Sequence, residues 1–369
     1  MIRLFRWVSA HFATPRLLIE ITAIAVALYG VDQFLASLET RELRTEARHD
    51  FDRGESLLQQ GRAAEAIELF RHAHVEDRDN RTFALGLADA YLTDHQPERA
   101  QSGLEELLAA DSNDAEANLR MARVMSEEDD PTRADSYYHR AIYGVWHPTQ
   151  SAPIARDRTA ARMELAAWLA GRHQNRELLS ELLLLDQSAR TDPAVAAQLP
   201  ALYAEAGDLN RAESSYRTLI RFNPSDPKVY AGLGQIELDR GNFRGAREAF
   251  EHASRLDPDQ GEFQQKAQIA GRALDLDPTS RHLAGSDKLA RSTAILNMAV
   301  AAAQNCPSVE PEVVQAGAAL LHGHAPSESN DASEVRLQSA EDIWHELPPS
   351  CASPEDAAVL SAIMHKMDQ

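Results

Sequence analysis

The stretch that decides the fold is Pro227–Gln260, which reads PKVYAGLGQIELDRGNFRGAREAFEHASRLDPDQ. Gly241 divides two segments of helix-forming residues, and Pro258 follows the second segment. Glycine tolerates the backbone of a tight turn and proline cannot continue a helix interior, so the stretch predicts two helices joined by a turn. One such hairpin cannot bury its apolar face alone, so neighbouring hairpins must stack on it to supply a core.

A period of 34 residues relates this hairpin to others along the chain. Pro193–Asp226 keeps the same frame, and its matching positions are Tyr203, Gly207, Ala212, Tyr216 and Pro224. Three earlier copies lie at 47–80, 81–114 and 115–148, with matches at Gly54, Gly61, Ala66, Phe70 and Ala73, then Leu87, Ala88, Tyr91 and Ala100, then Ala122, Ala134, Tyr138, Ala141 and Pro148. Two of their turns use His95-Gln96-Pro97 and Asp129-Asp130-Pro131 in place of glycine, which is also good turn chemistry. The fixed spacing predicts an array of helical hairpins.

These positions resemble the tetratricopeptide repeat family. In 227–260 the resemblance rests on Tyr230, Leu233-Gly234, Gly241, Phe243, Ala246, Phe250, Ala253 and Pro258. It implies an all-α fold, a right-handed α-solenoid of stacked helical hairpins, which acts as an interaction scaffold and not as an enzyme. Small residues let the two helices of a hairpin approach closely, and they recur at Ala66, Ala100, Ala134, Ala212 and Ala246.

The repeats fall into two blocks with other segments between and after them. Residues 47–148 hold three repeats and 193–260 hold two. The intervening 149–192 is predicted to be a degenerate helical hairpin with a long loop, its helices near 155–170 and 175–189. A lone capping helix is expected at 261–278, followed by a C-terminal helical region of unrelated pattern at 285–369, with helices near 286–305, 311–321, 333–346 and 354–367.

Residues 1–40 predict a basic segment followed by a single transmembrane anchor. Leu17–Leu38 contains only two charges, Glu20 and Asp32, and as a helix it would span roughly 33 Å, close to the thickness of a bilayer core. Three other interpretations stay open, namely a cleaved secretory signal, an interfacial amphipathic helix and a buried helix that caps the solenoid.

The distribution of arginines on the two sides of this segment weakly favours one orientation in the membrane. Three arginines lie in 1–16 and four in 39–53, and acidic residues cancel the charge of the second group. We therefore predict a cytoplasmic N-terminus with the repeats outside, in the periplasm of a bacterial envelope.

Charge and cysteine content restrict the partners and the chemistry. A formal net charge of -20, from 57 acidic against 37 basic residues, disfavours binding to nucleic acid because it repels phosphate backbones. No CxxC motif occurs, so common zinc and redox signatures are missing. Cys306 and Cys351 could form a disulfide in an oxidising compartment, or they could be two unrelated thiols.

The resemblance implies that first helices line a concave groove that accepts a peptide or protein segment. Inward positions in the first block are Phe51, Glu55, Leu85, Asp89, Leu119, Arg120 and Arg123, and in the second block they are Ala197, Ala201, Ala231 and Gln235. Arg120 and Arg123 are the clustered cations of this set, and they could equally be a solvated face. The second groove is small and apolar, which would suit an extended segment or a helix lying against it.

No residue set predicts a catalytic, cofactor or metal site. His72 and His74 lie two apart on a helix and therefore point about 200° apart, and the pair His322/His324 has no identifiable third ligand. The leading hypothesis is a membrane-anchored scaffold that holds partner proteins at a cell-envelope membrane. The alternatives are a structural subunit of a larger membrane complex and an enzyme with an unrecognised site in 285–369. The oligomeric state stays open.

Overall fold

The computed structural model describes residues 15–147, 154–304, 306–322, 329–348 and 350–369, and over these residues the chain is an all-α helical-repeat solenoid. The predicted fold class is thereby confirmed in its helical-repeat part. The seventeen helices of the described residues are α1 (Pro15–Gln59), α2 (Ala63–Glu76), α3 (Arg81–Thr93), α4 (Pro97–Ala110), α5 (Ala115–Glu127), α6 (Pro131–Tyr143), α7 (Ile154–Gly171), α8 (Asn175–Ala189), α9 (Pro193–Glu205), α10 (Leu209–Phe222), α11 (Pro227–Asp239), α12 (Phe243–Leu256), α13 (Gly261–Leu276), α14 (Gly285–Gln304), α15 (Pro311–His322), α16 (Ser329–Glu346) and α17 (Pro354–Met367).

The chain divides into two compact units, Met1–Leu165 and Ala166–Gln369. In the first unit, α1 packs on α2, α3 on α4 and α5 on α6, each pair forming one hairpin of the array. In the second unit, α9 packs on α10 and α11 on α12 in the same way, and α13 follows α12 and packs on it.

Alanines at the close approach of paired helices explain the repeat pattern. Ala66, Ala134, Ala212 and Ala246 have no exposed surface and Ala100 keeps 1%. Aromatic rings fill the space beside them, and Phe70 and Phe250 are completely buried. The glycine of the Leu-Gly pair makes room for such a ring, because a Cβ on Gly234 would lie 2.9 Å from the Phe250 ring.

The turns between paired helices need a left-handed residue, and the chain supplies it in two ways. Gly61, Gly207 and Gly241 have φ values between 67° and 82°. His95 and Asp129 take the same role with φ 54°, at the turns where the sequence lacks glycine. In the turn after α7 the left-handed residue is His173, with φ 56°, and not the nearby Gly171.

Two glycine-to-alanine changes are expected to have opposite effects on stability. A Cβ meets nothing within 4 Å at either Gly207 or Gly103, so packing is equal and only the backbone differs. Gly207→Ala places a side chain at φ 82° and should lower the free energy of unfolding by about 1–2 kcal/mol. Gly103→Ala lies within α4 and should raise it by about 0.8–1 kcal/mol. Urea unfolding of both variants checks this, and effects of equal sign would contradict it.

The transmembrane prediction for Leu17–Leu38 is wrong. Across the part of the chain that the structure describes, no helix is long and apolar enough to cross a membrane. The uncharged run Ile21–Val31 between Glu20 and Asp32 covers about 16 Å as a helix, roughly half of a bilayer core. The helix also does not end there, because α1 continues to Gln59 and its last turns form the first hairpin with α2. Residues 1–14 of the predicted basic segment lie outside the described residues.

The C-terminal helices α14–α17 share one apolar core with the end of the repeats. Val359, Leu360, Ile363 and Met364 on α17 are at most 2% exposed and pack in a cluster that includes Phe243. A disulfide joins Cys306 and Cys351, whose Cα atoms lie 5.4 Å apart. Helix α17 starts as its sequence suggests, since the Ser353 Oγ accepts a hydrogen bond from the Asp356 N–H, which satisfies a free amide of the first turn.

Candidate groove of the first unit

A cavity of about 400 Å³ lies along the first helices of the hairpins in the first unit. Helices α1, α3, α5 and α7 contribute its walls. All seven first-block positions from the sequence line this cavity, namely Phe51, Glu55, Leu85, Asp89, Leu119, Arg120 and Arg123. The structure therefore brings these residues together in one groove.

The 34-residue period explains why these side chains meet. Phe51, Leu85 and Leu119 are equivalent positions of three successive repeats, and each is no more than 8% exposed. They form the apolar floor of the groove. The Phe51 ring lies 5.2 Å from the Phe70 ring and 5.1 Å from the Phe83 ring, within the range of favourable aromatic contacts. Gly86 allows this, because a Cβ there would lie 2.6 Å from the Phe51 ring.

The two groove arginines are paired with carboxylates of neighbouring helices. Arg120 donates to the Asp89 carboxylate at 2.6 Å. Arg123 makes a bidentate contact with Glu164, with nitrogen-to-oxygen distances of 2.7 and 2.8 Å, and its other nitrogen lies 3.7 Å from Asp89. The hydrogen bond to Glu164 raises the pKa of Arg123. These arginines therefore hold adjacent hairpins together, and they do not form an open cationic patch.

The groove as a whole carries excess negative charge. Five carboxylates line it, from Glu55, Asp89, Glu116, Asp157 and Glu164, against three guanidinium groups from Arg81, Arg120 and Arg123, so its net charge is -2. Among the described residues, no ion pair engages Glu55 or Asp157, while the other three carboxylates are bound by the arginines. These two carboxylates are the groups that remain able to meet a cation.

Sequence reasoning did not single out Trp146, at the end of the first block, or Asp157 and Glu164, which come after it. Trp146, Asp157 and Glu164 line the groove, but they lie in or next to the irregular segment 149–192. A usable signal was present, because Asp157 follows Arg123 by the same 34 residues that separate Arg123 from Asp89. Glu164 carried no such signal. It pairs with Arg123 in the structure, but it does not lie a multiple of 34 residues from any of the predicted groove positions.

Two backbone hydrogen bonds near the groove bring one histidine and two carboxylates close together. The backbone of Val145 bonds to that of Asn113 and Ala115, at 2.8 and 3.1 Å, which fixes the loop after α6 against the start of α5. This places His147 beside Asp114 and Glu116, with one ligand atom of each within 4.8 Å of the others. The set has the donor types of a divalent-metal site. The Arg81 guanidinium, however, already contacts both carboxylates, so a side-chain cation compensates their charge.

The second-block positions do not form one groove. Ala197 lines a cavity of about 730 Å³ between α8 and α11, Gln235 lines a different one of about 540 Å³, and Ala201 is exposed. Ala231 packs instead on the cluster around Phe250. Helix α17, which lies outside the repeats in the sequence, packs across α11 and α13. It therefore occupies part of the surface that the repeat pattern alone predicted to be open.

The C-terminal helix therefore covers the first-helix surface of the second block. The cavity at Gln235 has walls from α11, α13 and α17. Lys366 on α17 reaches the Asp277 carboxylate at 2.7 Å and lies 5.0 Å above the Phe243 ring. Burial acts to raise the pKa of Asp277, but hydrogen bonds from Lys366 and Thr279 outweigh it and hold that pKa below its usual range.

Comparison with known proteins agrees with the repeat pattern. One tetratricopeptide repeat profile matches residues 57–123 and 203–269, and a second matches 31–80. The chain is 24% identical over 224 residues to cellulose synthase 1 operon protein C of Komagataeibacter xylinus, an alignment that covers 59% of this chain. The chain spans only 16% of the length of that relative.

Two solved structures that match the chain are described as tetratricopeptide repeat proteins. The C-terminal part of a repeat-containing protein of Cytophaga hutchinsonii is 15% identical, with a TM-score of 0.47 and coverage of 67% of this chain and 94% of that one. YrrB, described as a repeat protein with an unusual peptide-binding site, is 18% identical with a TM-score of 0.42, covering 56% and 99%. The chain carries tetratricopeptide repeats at residues 31–123 and 203–269.

Proposed function

We propose that this chain is a protein-interaction module, and not a catalyst, whose first-unit groove holds an extended partner segment with a basic side chain. The observation that carries this is the pair of carboxylates Glu55 and Asp157, which line a groove with an apolar floor and form no ion pair with a described residue. A lysine or arginine of the partner would form ion pairs with these carboxylates and neutralise their charge. An apolar side chain two residues away along an extended segment would lie on the same side and reach the floor.

The groove geometry favours recognition by charge and shape together. Its arginines already have carboxylate partners, so an acidic segment would find no open cation and would meet a net negative surface. Basic segments would instead associate faster at low salt, because opposite charge steers encounter. Substitution of Arg120 and Arg123 is a poor test of binding, since it would also break contacts between hairpins.

The test is selection of binding peptides on the full chain, followed by charge reversal. A random twelve-residue library displayed on phage should yield sequences rich in lysine or arginine near a large apolar residue. Glu55→Lys with Asp157→Lys should weaken the selected peptides at least about 10-fold, as expected when two charge pairs become repulsive. Fluorescence anisotropy of a labelled peptide at two salt concentrations measures this.

A matched control keeps the charge change and moves it away from the groove. Glu98→Lys with Glu106→Lys changes two exposed carboxylates of α4, on the second helix of a hairpin. This variant should bind the same peptides within about threefold of the native chain, because screened surface charges act weakly at a distance. Equal losses in both variants, or no loss in the groove variant, would contradict the proposal.

The likeness to cellulose synthase 1 operon protein C favours a second candidate, a structural subunit of a larger polysaccharide-synthesis assembly. It is supported by similarity over 59% of this chain. Purification of the tagged chain from its native source separates the two candidates. A subunit should co-purify with fixed partners in whole-number ratios, whereas a groove-binding adaptor should lose its partner during washing.

A further inference from the structure

Residues 21–35 of helix α1 present an apolar surface that no described residue of the chain covers. The large side chains Ile21, Ile24, Leu28, Val31 and Leu35 are each between 50% and 64% exposed, and Ala47 is the first side chain of the helix that the structure describes as buried. A helix in water draws most of its stability from tertiary packing of an apolar face. Residues 21–35 lack such packing against the part of the chain that the structure describes.

The spacing of these five residues matches a coiled-coil seam. They follow one another by three, four, three and four positions, which is the a and d pattern of a heptad repeat. Ile21, Leu28 and Leu35 then occupy a positions, while Ile24 and Val31 occupy d positions. In the sequence, Leu17 and Leu38 continue the same spacing at either end.

We propose that residues 21–35 of α1 associate in parallel with the same segment of further copies of this chain. Leucine at a with isoleucine or valine at d favours three or four strands over two. Wider cores in such bundles also bury flanking positions, and three of the four flanking positions within 21–35 are apolar, Ala25, Ala27 and Phe34, while the fourth is Asp32. The occupant of the apolar face is therefore a second and further copy of α1.

The charges beside the seam permit parallel helices. Parallel strands pair each g position with the following e position of the neighbour, which brings Arg41 to Glu46 and places no like charges together along 20–41. Antiparallel strands pair e with e, so a register centred on Asp32 or Glu39 brings like charges together, whereas the register of full overlap pairs Asp32 with Ala25. The charges therefore disfavour the shifted antiparallel registers, and disulfide trapping separates the parallel arrangement from the overlapping antiparallel one.

The seam ends where the helix starts to pack on its own repeats. The next a and d positions hold Glu42 and Thr45, which do not favour a helix seam. Beyond them, the side chains of Ala47 and Phe51 are 0% and 4% exposed and pack inside the first unit. Association through 21–35 thus leaves the groove free, and this inference does not depend on the function proposed for that groove.

The test measures the mass of the full 40.7 kDa chain by sedimentation and light scattering without detergent. The chain should form a complex at tens of micromolar, and Leu28→Asp should weaken association at least about 100-fold by burying unpaired charges in the seam. Val26→Asp is the matched control, because Val26 is 65% exposed against 64% for Leu28 but lies on the opposite side of the helix. Association of the control should change less than about threefold.

Disulfide trapping tests the parallel register. Ile24→Cys and Val31→Cys, made separately, should each give a covalent dimer under oxidising conditions, since each d residue faces its own counterpart in parallel strands. Val26→Cys should not. An antiparallel pair could place only one of the two seam positions beside itself, so trapping at a single position would overturn the parallel assignment.

Other occupants of the surface give distinct results. A chain that stays monomeric at tens of micromolar overturns the proposal, and it does so whether or not phosphatidylglycerol vesicles then capture the chain. Loss of association by Val26→Asp as large as by Leu28→Asp overturns it as well, because that result would indicate unspecific adhesion of apolar surface. Far-ultraviolet circular dichroism should be unchanged in all variants. This result would show that the substitutions alter association and not the folding of the repeats.

Discussion

Replacing Phe250 by alanine is expected to lower the free energy of unfolding of the second unit by about 3–5 kcal/mol. The Phe250 ring is fully buried between α11, α12 and α13, where it contacts Ala246, Ala267 and Ala270. These neighbours are small, so they cannot expand into the space that the ring leaves. The variant therefore loses both the burial of the ring and the contacts around it.

Hydrogen exchange of the amides in α11 and α12 is the measurement, because it reports the stability of individual hairpins. Protection there should fall steeply in Phe250→Ala. Phe222→Ala removes the same side chain from a site that is 71% exposed, and it should leave protection nearly unchanged. Comparable losses in the two variants would show that the buried ring is not the origin of the stability.

Gly234 sharpens this prediction, because it shares the space of the Phe250 ring. In the native chain, Gly234→Ala brings a Cβ within 2.9 Å of that ring and should cost about 1–3 kcal/mol by overpacking. In a Phe250→Ala background the clash is gone, and the alanine should instead gain up to about 1 kcal/mol of helix propensity. The difference between the two backgrounds is the coupling energy of a double-mutant cycle.

The repeat period fixed in advance those features that depend on spacing within a hairpin. Ala66, Ala134, Ala212 and Ala246 are fully buried at the positions where the period places a close approach. Phe51, Leu85 and Leu119 line one groove because equivalent residues of stacked hairpins face the same side. In both cases a local pattern repeats, and geometry follows from the repetition.

Features that depend on contacts outside the period could not be found in that way. Composition of Leu17–Leu38 suggested a membrane span, yet Glu20 and Asp32 divide it and the helix continues as the first repeat helix. The second-block set Ala197, Ala201, Ala231 and Gln235 does not share a groove, because α17 returns from far along the sequence to cover α11 and α13. Nothing in the repeats encodes where that helix packs.

Replacing Arg81 by alanine is expected to lower the free energy of unfolding of the first unit by about 3 kcal/mol, the lower end for a broken buried ion pair. Its guanidinium contacts the carboxylates of Asp114 and Glu116. The Asp114 side chain is only 3% exposed, while that of Arg81 keeps 25%, which moderates the effect. Removing the guanidinium leaves a buried negative charge whose remaining hydrogen bond comes from the Ala117 N–H at 3.0 Å.

Asp114 is more deeply buried than Arg81, and this difference in burial provides the control. Asp114→Asn removes the buried charge and keeps an oxygen that can accept from Ala117, so it should cost less than Arg81→Ala. The double variant should be more stable than Arg81→Ala alone, because no unpaired charge stays buried. Arg62→Ala breaks an exposed bidentate pair with Glu65, with nitrogen-to-oxygen distances of 2.7 and 2.5 Å, and should have little effect, since exposed pairs contribute little.

The pH dependence distinguishes loss of the ion pair from loss of packing. Burial acts to raise the pKa of Asp114, but hydrogen bonds from Arg81 and Ala117 outweigh burial and hold the pKa below its ordinary value. A carboxyl with a lowered pKa in the folded state stabilises the fold above its unfolded pKa, about 3.9, and loses that contribution as the pH falls through the folded value. Without Arg81, burial dominates and favours the neutral acid. The gap in unfolding free energy between the native chain and Arg81→Ala should therefore be largest near pH 7 and shrink below about pH 4. A gap that stays constant over this range would mean that Arg81 stabilises the groove through its aliphatic stem and not through its charge.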